Sequence, residues 1–138
     1  MKPKLRKANI TAVGKYLPKN ILTNADLEKM VDTNDEWIRT RTGIQDRRIV
    51  DKGEASVEMS VNAIQQILDS RNLDPTEIDA IIVGTVTPDM LFPSCAALIQ
   101  HRIGATNAWG YDLSAACSGF IFALQSGSAL IESGQCEK

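Results

Sequence analysis

Paired cysteines, clustered histidines and long apolar runs are all missing from this sequence, and each absence excludes something. The three cysteines, Cys95, Cys117 and Cys136, are odd in number and none stands in a C-x-x-C spacing. Neither a disulfide framework nor a zinc site is therefore expected. The single histidine, His101, lies in Leu98-Ile99-Gln100-His101-Arg102-Ile103 and reads as a surface or interface residue on a helix face rather than a ligand. The longest apolar stretch, around Ala80 to Val83, is far too short to cross a bilayer. The start, Met1-Lys2-Pro3-Lys4-Leu5-Arg6-Lys7, lacks the apolar core of a secretory signal, so a cytoplasmic location is expected. A formal net charge of -2 gives no general attraction for nucleic acid or an anionic membrane. No repeat or low-complexity tract is present.

What remains is ordinary for a globular unit: 138 residues, 43% hydrophobic and 23% charged, enough for one domain with a real core. Ala8 to Val13 alternates small and β-branched residues up to Gly14 and predicts a strand. Tyr16 to Asn20 predicts a turn around Pro18. Thr23 or Asn24 can cap a short helix with an apolar stripe of Leu27, Met30 and Val31. A second short helix is expected from Asn34 to a stop at Gly43. The clearest helix, about Ser56 to Ser70, carries Val57, Val61, Ile64 and Leu68 on one face. Ile78 to Val86 predicts a strand of a parallel sheet, buried on both faces. Pro93 is placed to open a helix that runs to Gly104. Ala108 to Leu113 predicts another strand, and a last helix runs from near Cys117 to near Gly134. This order predicts βαβ crossovers and a layered α/β fold. The alternation calls for a further strand where the sequence stops, at Glu137-Lys138.

Cys117 stands between a strand and a helix among small residues: Ser114, Ala115, Ala116, Ser118 and Gly119. Small side chains permit a tight turn and leave room for a substrate at the sulfur. A helix N-terminus offers unpaired N–H groups and about half a unit of positive charge. Both favour a thiolate over the thiol, whose free pKa is about 8.5, and both suit an oxyanion formed when sulfur attacks a thioester carbonyl. On position alone Cys117 is equally an inert core thiol. Cys95, followed by Ala96, Ala97 and Leu98, reads as core, and Cys136 has no evident partner. A redox-sensing pair is disfavoured because Cys136 lies a whole helix beyond Cys117.

The segment Asp112-Leu113-Ser114-Ala115-Ala116-Cys117-Ser118-Gly119-Phe120 resembles the active-site segment of β-ketoacyl-acyl carrier protein synthase III. Thr23 to Thr33, Asp35-Glu36-Trp37-Ile38 and Thr40-Arg41-Thr42-Gly43-Ile44 are similar to that family's N-terminal signature, and Phe92-Pro93-Ser94 is similar to a third segment in the same order. The resemblance implies a thiolase-like layered fold, helices packed on a mixed, mainly parallel sheet. It also implies that residues 1–138 are the N-terminal half and lack the last strands of that half. The C-terminal half would supply the family's catalytic histidine and asparagine.

The resemblance further implies that Cys117 takes an acyl group from a short acyl-CoA, most simply acetyl-CoA, and that decarboxylated malonyl-acyl carrier protein then attacks it. No metal or redox cofactor is implied, since CoA enters as substrate and leaves as product, and the partners are acyl-CoA, the carrier protein and a second copy in a homodimer. Trp37 and Arg41 match positions that hold the adenine of CoA between an indole and a guanidinium. On the residues alone, Trp37 reads as a partly buried anchor and Arg41 as a solvated charge. Thr33 matches a residue that approaches bound CoA, and it is equally a helix cap. Phe92 matches a position that reaches across the dimer toward the partner's acyl pocket, and it is equally an ordinary apolar residue before a proline. Arg39, Arg47 and Arg48 add nearby positive charge with no assigned role. The other readings are a different thiolase-fold condensing enzyme and a non-catalytic interaction half-domain.

Overall fold

Capping residues set most of the boundaries in the computed structural model, which describes residues 6–138. Met1 to Leu5, part of the stretch read above for a targeting signal, lie outside the described residues. Two compact units divide the chain: Leu17–Ala55, and Ser56–Lys138 together with the described part of Met1–Tyr16.

The unit Leu17–Ala55 contains strand β1 (Asn20–Thr23), helices α1 (Asn24–Leu27) and α2 (Asp35–Thr42), and strand β2 (Asp46–Ile49). β1 and β2 pair antiparallel, Asn20 opposite Ile49 and Thr23 opposite Asp46. Neither short strand was expected. Thr23 caps α1 through a reciprocal box: its hydroxyl accepts from Asp26 N at 3.1 Å, and Asp26 Oδ2 accepts from Thr23 N at 3.2 Å. The expected stripe of Leu27, Met30 and Val31 does not form. Backbone bonds from Met30 N and Val31 N to Leu27 O turn the chain after one helical turn, leaving Met30 and Val31 exposed. α2 follows expectation at both ends, with Asn34 Oδ1 accepting from Trp37 N at 2.8 Å and Gly43 closing it at φ 72°. Asn24, only 2% exposed, is the polar hub of this unit. Its amide donates to Asp35 Oδ1 (2.7 Å) and Ile44 O (2.9 Å), and its oxygen accepts from Arg47 Nη1 (2.6 Å). A buried amide with every partner made costs little and specifies one arrangement.

The second unit runs α3 (Ser56–Arg71), a 3₁₀ turn (Pro75–Glu77), β3 (Ala80–Gly84), α4 (Cys95–Ile103), β4 (Trp109–Leu113), a second 3₁₀ turn (Ala116–Ser118) and α5 (Gly119–Glu132). β3 and β4 pair parallel, Ala80 opposite Trp109 and Gly84 opposite Leu113, with α4 as the connection. Val57, Cys95 and Ile99 form the buried centre, and Val61, Ile64, Ile81, Val83, Leu98 and Ile103 pack on it. The α3 stripe therefore faces where its spacing predicts.

Three expectations change here. Ala8 to Val13 makes no ladder, and Ile10 and Val13 are exposed. The segment instead flanks a groove of about 510 Å³ beside Ala80 and Ile82 of β3 and Phe120 and Leu124 of α5. β3 is half-buried rather than buried on both faces, and among the described residues β4 is its one ladder partner. Pro93 does not open α4. Ser94 is the cap, its hydroxyl accepting from Ala97 N at 3.2 Å, and a hydroxyl satisfies a free helix N–H in a way that proline cannot. Among the described residues no helix is long and apolar enough to cross a membrane.

Candidate active site

The cysteine turn follows directly from the end of β4. Leu113 O accepts from Thr85 N at 3.1 Å, which extends the β3–β4 pairing by one bond. The chain then turns through Ser114 and Ala115 into the short 3₁₀ turn that carries Cys117, closed by Ser118 N donating to Ala115 O at 3.0 Å. Cys117 thus precedes α5 by two residues instead of opening it. Ala116, just before the sulfur-bearing residue, sits at φ 45°, a left-handed conformation that costs energy for any residue with a Cβ. Such a conformation persists only where the surroundings hold it.

They do so from two sides. Downstream, β3 and α5 meet backbone to backbone at Gly84 and Gly119. A Cβ built on Gly84 would lie 2.9 Å from Gly119 C and 3.0 Å from its oxygen, so any other residue would push the two backbones apart. Upstream, the Asp112 carboxylate reaches α4, Oδ2 accepting from Cys95 N at 2.8 Å and Oδ1 from Ala96 N at 2.9 Å. Asp89 plays a similar part for α3, both its oxygens lying 3.2 Å from Val57 N. Sequence reasoning missed both carboxylates. A helix cap is legible when the capping residue is its neighbour, and Asp112 is seventeen residues from the helix start that it serves.

Cys117 is exposed, whereas Cys95 and Cys136 are buried, and all three thiols are free. Burial pushes the Cys95 and Cys136 thiols up, away from the reactive anion. No side chain caps α5, so its first N–H groups have no side-chain acceptor. Beyond the carboxyl ends of β3 and β4 lies a cleft of about 380 Å³ lined by Thr85, Val86, Leu91, Ser94, Asp112 and Ser114, the place where parallel α/β sheets generally take ligands. Phe92 does not line it; it is 88% exposed on the same loop as Leu91. His101 is exposed near the end of α4, and no cluster of ligating groups occurs among the described residues.

Trp37, Arg41 and Thr33 belong to the other unit. Trp37 is half exposed, and the Arg41 guanidinium carbon stands 4.5 Å from its ring centroid, a cation–π contact across one helical turn. A base held between two planar groups needs two contact gaps of about 3.5 Å each, roughly 7 Å in all. The pair as it stands is stacked on itself, and one of the two has to move before a base can enter between them. Thr33 is half-buried, and the cap it was an alternative candidate for belongs to Asn34. Arg39 pairs with Asp35 at 3.6 Å, Arg47 holds Asn24, and Arg48 donates to Pro18 O at 3.2 Å.

A family model described as 3-Oxoacyl-[acyl-carrier-protein (ACP)] synthase III matches residues 111–138, the stretch that contains the cysteine turn and α5. The β-ketoacyl-acyl carrier protein synthase III of Koribacter versatilis is 53% identical over 134 residues, which is 97% of this chain and 40% of that protein. The crystal structure of the corresponding synthase from Aquifex aeolicus superposes with a TM-score of 0.87 at 50% identity, covering 94% of this chain and 41% of the other. That of the priming β-ketosynthase from the R1128 polyketide pathway gives 0.89 at 40% identity, over 97% and 40%. The α/β architecture is therefore thiolase-like. By sequence and by fold, the chain resembles the β-ketoacyl-acyl carrier protein synthase III family, whose curated members it matches over about 40% of their length.

Proposed function

We propose that this protein provides the acyl-accepting cysteine of a β-ketoacyl-acyl carrier protein synthase III that begins fatty-acid synthesis. The Cys117 thiolate attacks the carbonyl of a short acyl-CoA, and the resulting oxyanion collapses to expel CoA thiolate and leave a thioester on the sulfur. Malonyl-acyl carrier protein then loses carbon dioxide. The carbanion so formed attacks the acyl-enzyme carbonyl, and the Cys117 thiolate departs as the β-ketoacyl product is released. Trp37, Arg41 and Thr33 would hold the CoA nucleotide, once the indole and guanidinium part to admit the base, and Phe92 would bound the acyl group across a homodimer. The single observation that carries this reading is an exposed cysteine on a strained strand-to-helix turn in a chain that resembles this family.

Incubation with acetyl-CoA labelled in the acyl group, followed by digestion, is expected to place the label on the peptide containing Cys117, and Cys117→Ala is expected to abolish it. Label on another residue, or none on correctly assembled protein, would overturn the proposal. Since His101 is exposed near the end of α4, carbanion stabilisation is assigned to residues outside this chain. Residues 1–138 by themselves are expected to show no malonyl-dependent condensation. The likeness to a priming β-ketosynthase favours a second reading, in which the acyl-enzyme primes polyketide rather than fatty-acid assembly; loading from a panel of acyl-CoA lengths separates the two.

A further inference from the structure

We propose that Asp112 is a positioning residue for Cys117, its carboxylate clamping the end of β4 to the first turn of α4 so that the strained turn presents the thiol. The inference rests on Cys117 being the acyl acceptor, but it concerns how the turn is held.

The first three N–H groups of α4 are all satisfied, and two of them depend on Asp112. Ser94 Oγ takes Ala97 N, while Asp112 takes Cys95 N and Ala96 N, one on each oxygen. Cys95 and Ala96 are both 0% exposed. Bonds to a charged carboxylate are stronger than neutral ones, and losing it leaves two helix N–H groups without their acceptor. Asp112 also lies on β4 opposite Val83, and the next residue, Leu113, accepts from Thr85 N. The strand end is therefore fixed in two directions, along the sheet by the ladder and across it by the carboxylate. From that point to the Gly84–Gly119 contact the chain has only the turn itself, with Ala116 at φ 45°. Without the upstream anchor this residue can relax to an ordinary conformation and swing Cys117 away. A neutral variant isolates the cause. Removing a negative charge cannot disfavour a thiolate, so a slower thiol reports displacement and not charge.

The test uses the second-order rate of alkylation by iodoacetamide, with the modified peptide identified by mass. Cys95 and Cys136 are buried, so the fast phase reports Cys117. Asp112→Ala and Asp112→Asn are compared with the parent over a range of pH, well below each protein's melting midpoint. The control is Asp74→Ala, which likewise removes two hydrogen bonds to a carboxylate, here both on one oxygen and from Thr76 N and Oγ1. If neither neutral variant folds, Asp112→Glu keeps both oxygens on a longer arm and carries the measurement. The expected result is a rate at least fivefold below the parent in the Asp112 variants and unchanged in Asp74→Ala. A rate within twofold of the parent in a folded Asp112 variant, or equal slowing in Asp74→Ala, would overturn the proposal. Acyl loading of the parent is measured in parallel. Failure there with the alkylation order intact removes the proposed function and leaves the clamp standing.

Discussion

Gly84 and Gly119 face each other across one contact, yet replacing them by alanine is expected to give opposite results. A Cβ on Gly84 would lie 2.9 Å from Gly119 C, 3.0 Å from its oxygen and 3.3 Å from Phe120 N. Ordinary carbon contacts begin at about 3.5 Å, so the two elements must separate by roughly half an ångström. The obstructing atoms are backbone of the first turn of α5, and no side chain can rotate out of the way. Overpacking of this kind costs about 1–3 kcal/mol. A Cβ on Gly119 would instead meet Gly84 at 3.6–3.8 Å, an ordinary contact. Gly119 is already helical at φ -54° and ψ -46°, and alanine there recovers up to about 1 kcal/mol of helix propensity. Differential scanning calorimetry is the assay. Gly84→Ala is expected to lower the melting midpoint by several degrees and to slow acyl loading at Cys117, because the displaced turn carries the sulfur. Gly119→Ala is expected to match or exceed the parent midpoint. Equal midpoints for the two variants, or a loss confined to Gly119→Ala, would refute the close-approach argument.

Ile99, 1% exposed between Val57 and Cys95, is the largest side chain at the buried centre. Ile99→Ala is expected to cost about 2–5 kcal/mol in urea unfolding, and a loss under 1 kcal/mol would show that α4 does not form the core. Asp26 is held at about 2, chiefly by the Thr23 hydroxyl and then by Lys29, below its ordinary 3.8. Its stabilising contribution is therefore complete above pH 3.8 and fades as pH falls toward 2. Carboxyl titration by nuclear magnetic resonance is expected to show a depressed midpoint that Thr23→Val returns toward 3.8; a midpoint already at 3.8 in the parent would contradict the cap.

Local signals were read well wherever a residue and its partner are neighbours in sequence. Thr23, Asn34 and Gly43 fall at the helix ends their chemistry predicts, and the α3 stripe faces the core. Alternation misled at Ala8 to Val13, because a strand exists only where a partner offers a ladder, and periodicity carries no information about partners. The same limit hid β1 and β2, whose pairing spans the α1–α2 segment.

The sequence by itself determined the element order in outline, the cysteine among small residues and the family signature, since all of these depend on spacing along the chain. Tertiary structure alone decided that Cys117 is exposed while Cys95 and Cys136 are buried, and that Asp112 holds the start of α4. Burial and long-range hydrogen bonds depend on which distant segments meet. That is settled when the parallel pair β3–β4 closes over α4, and no local pattern encodes it.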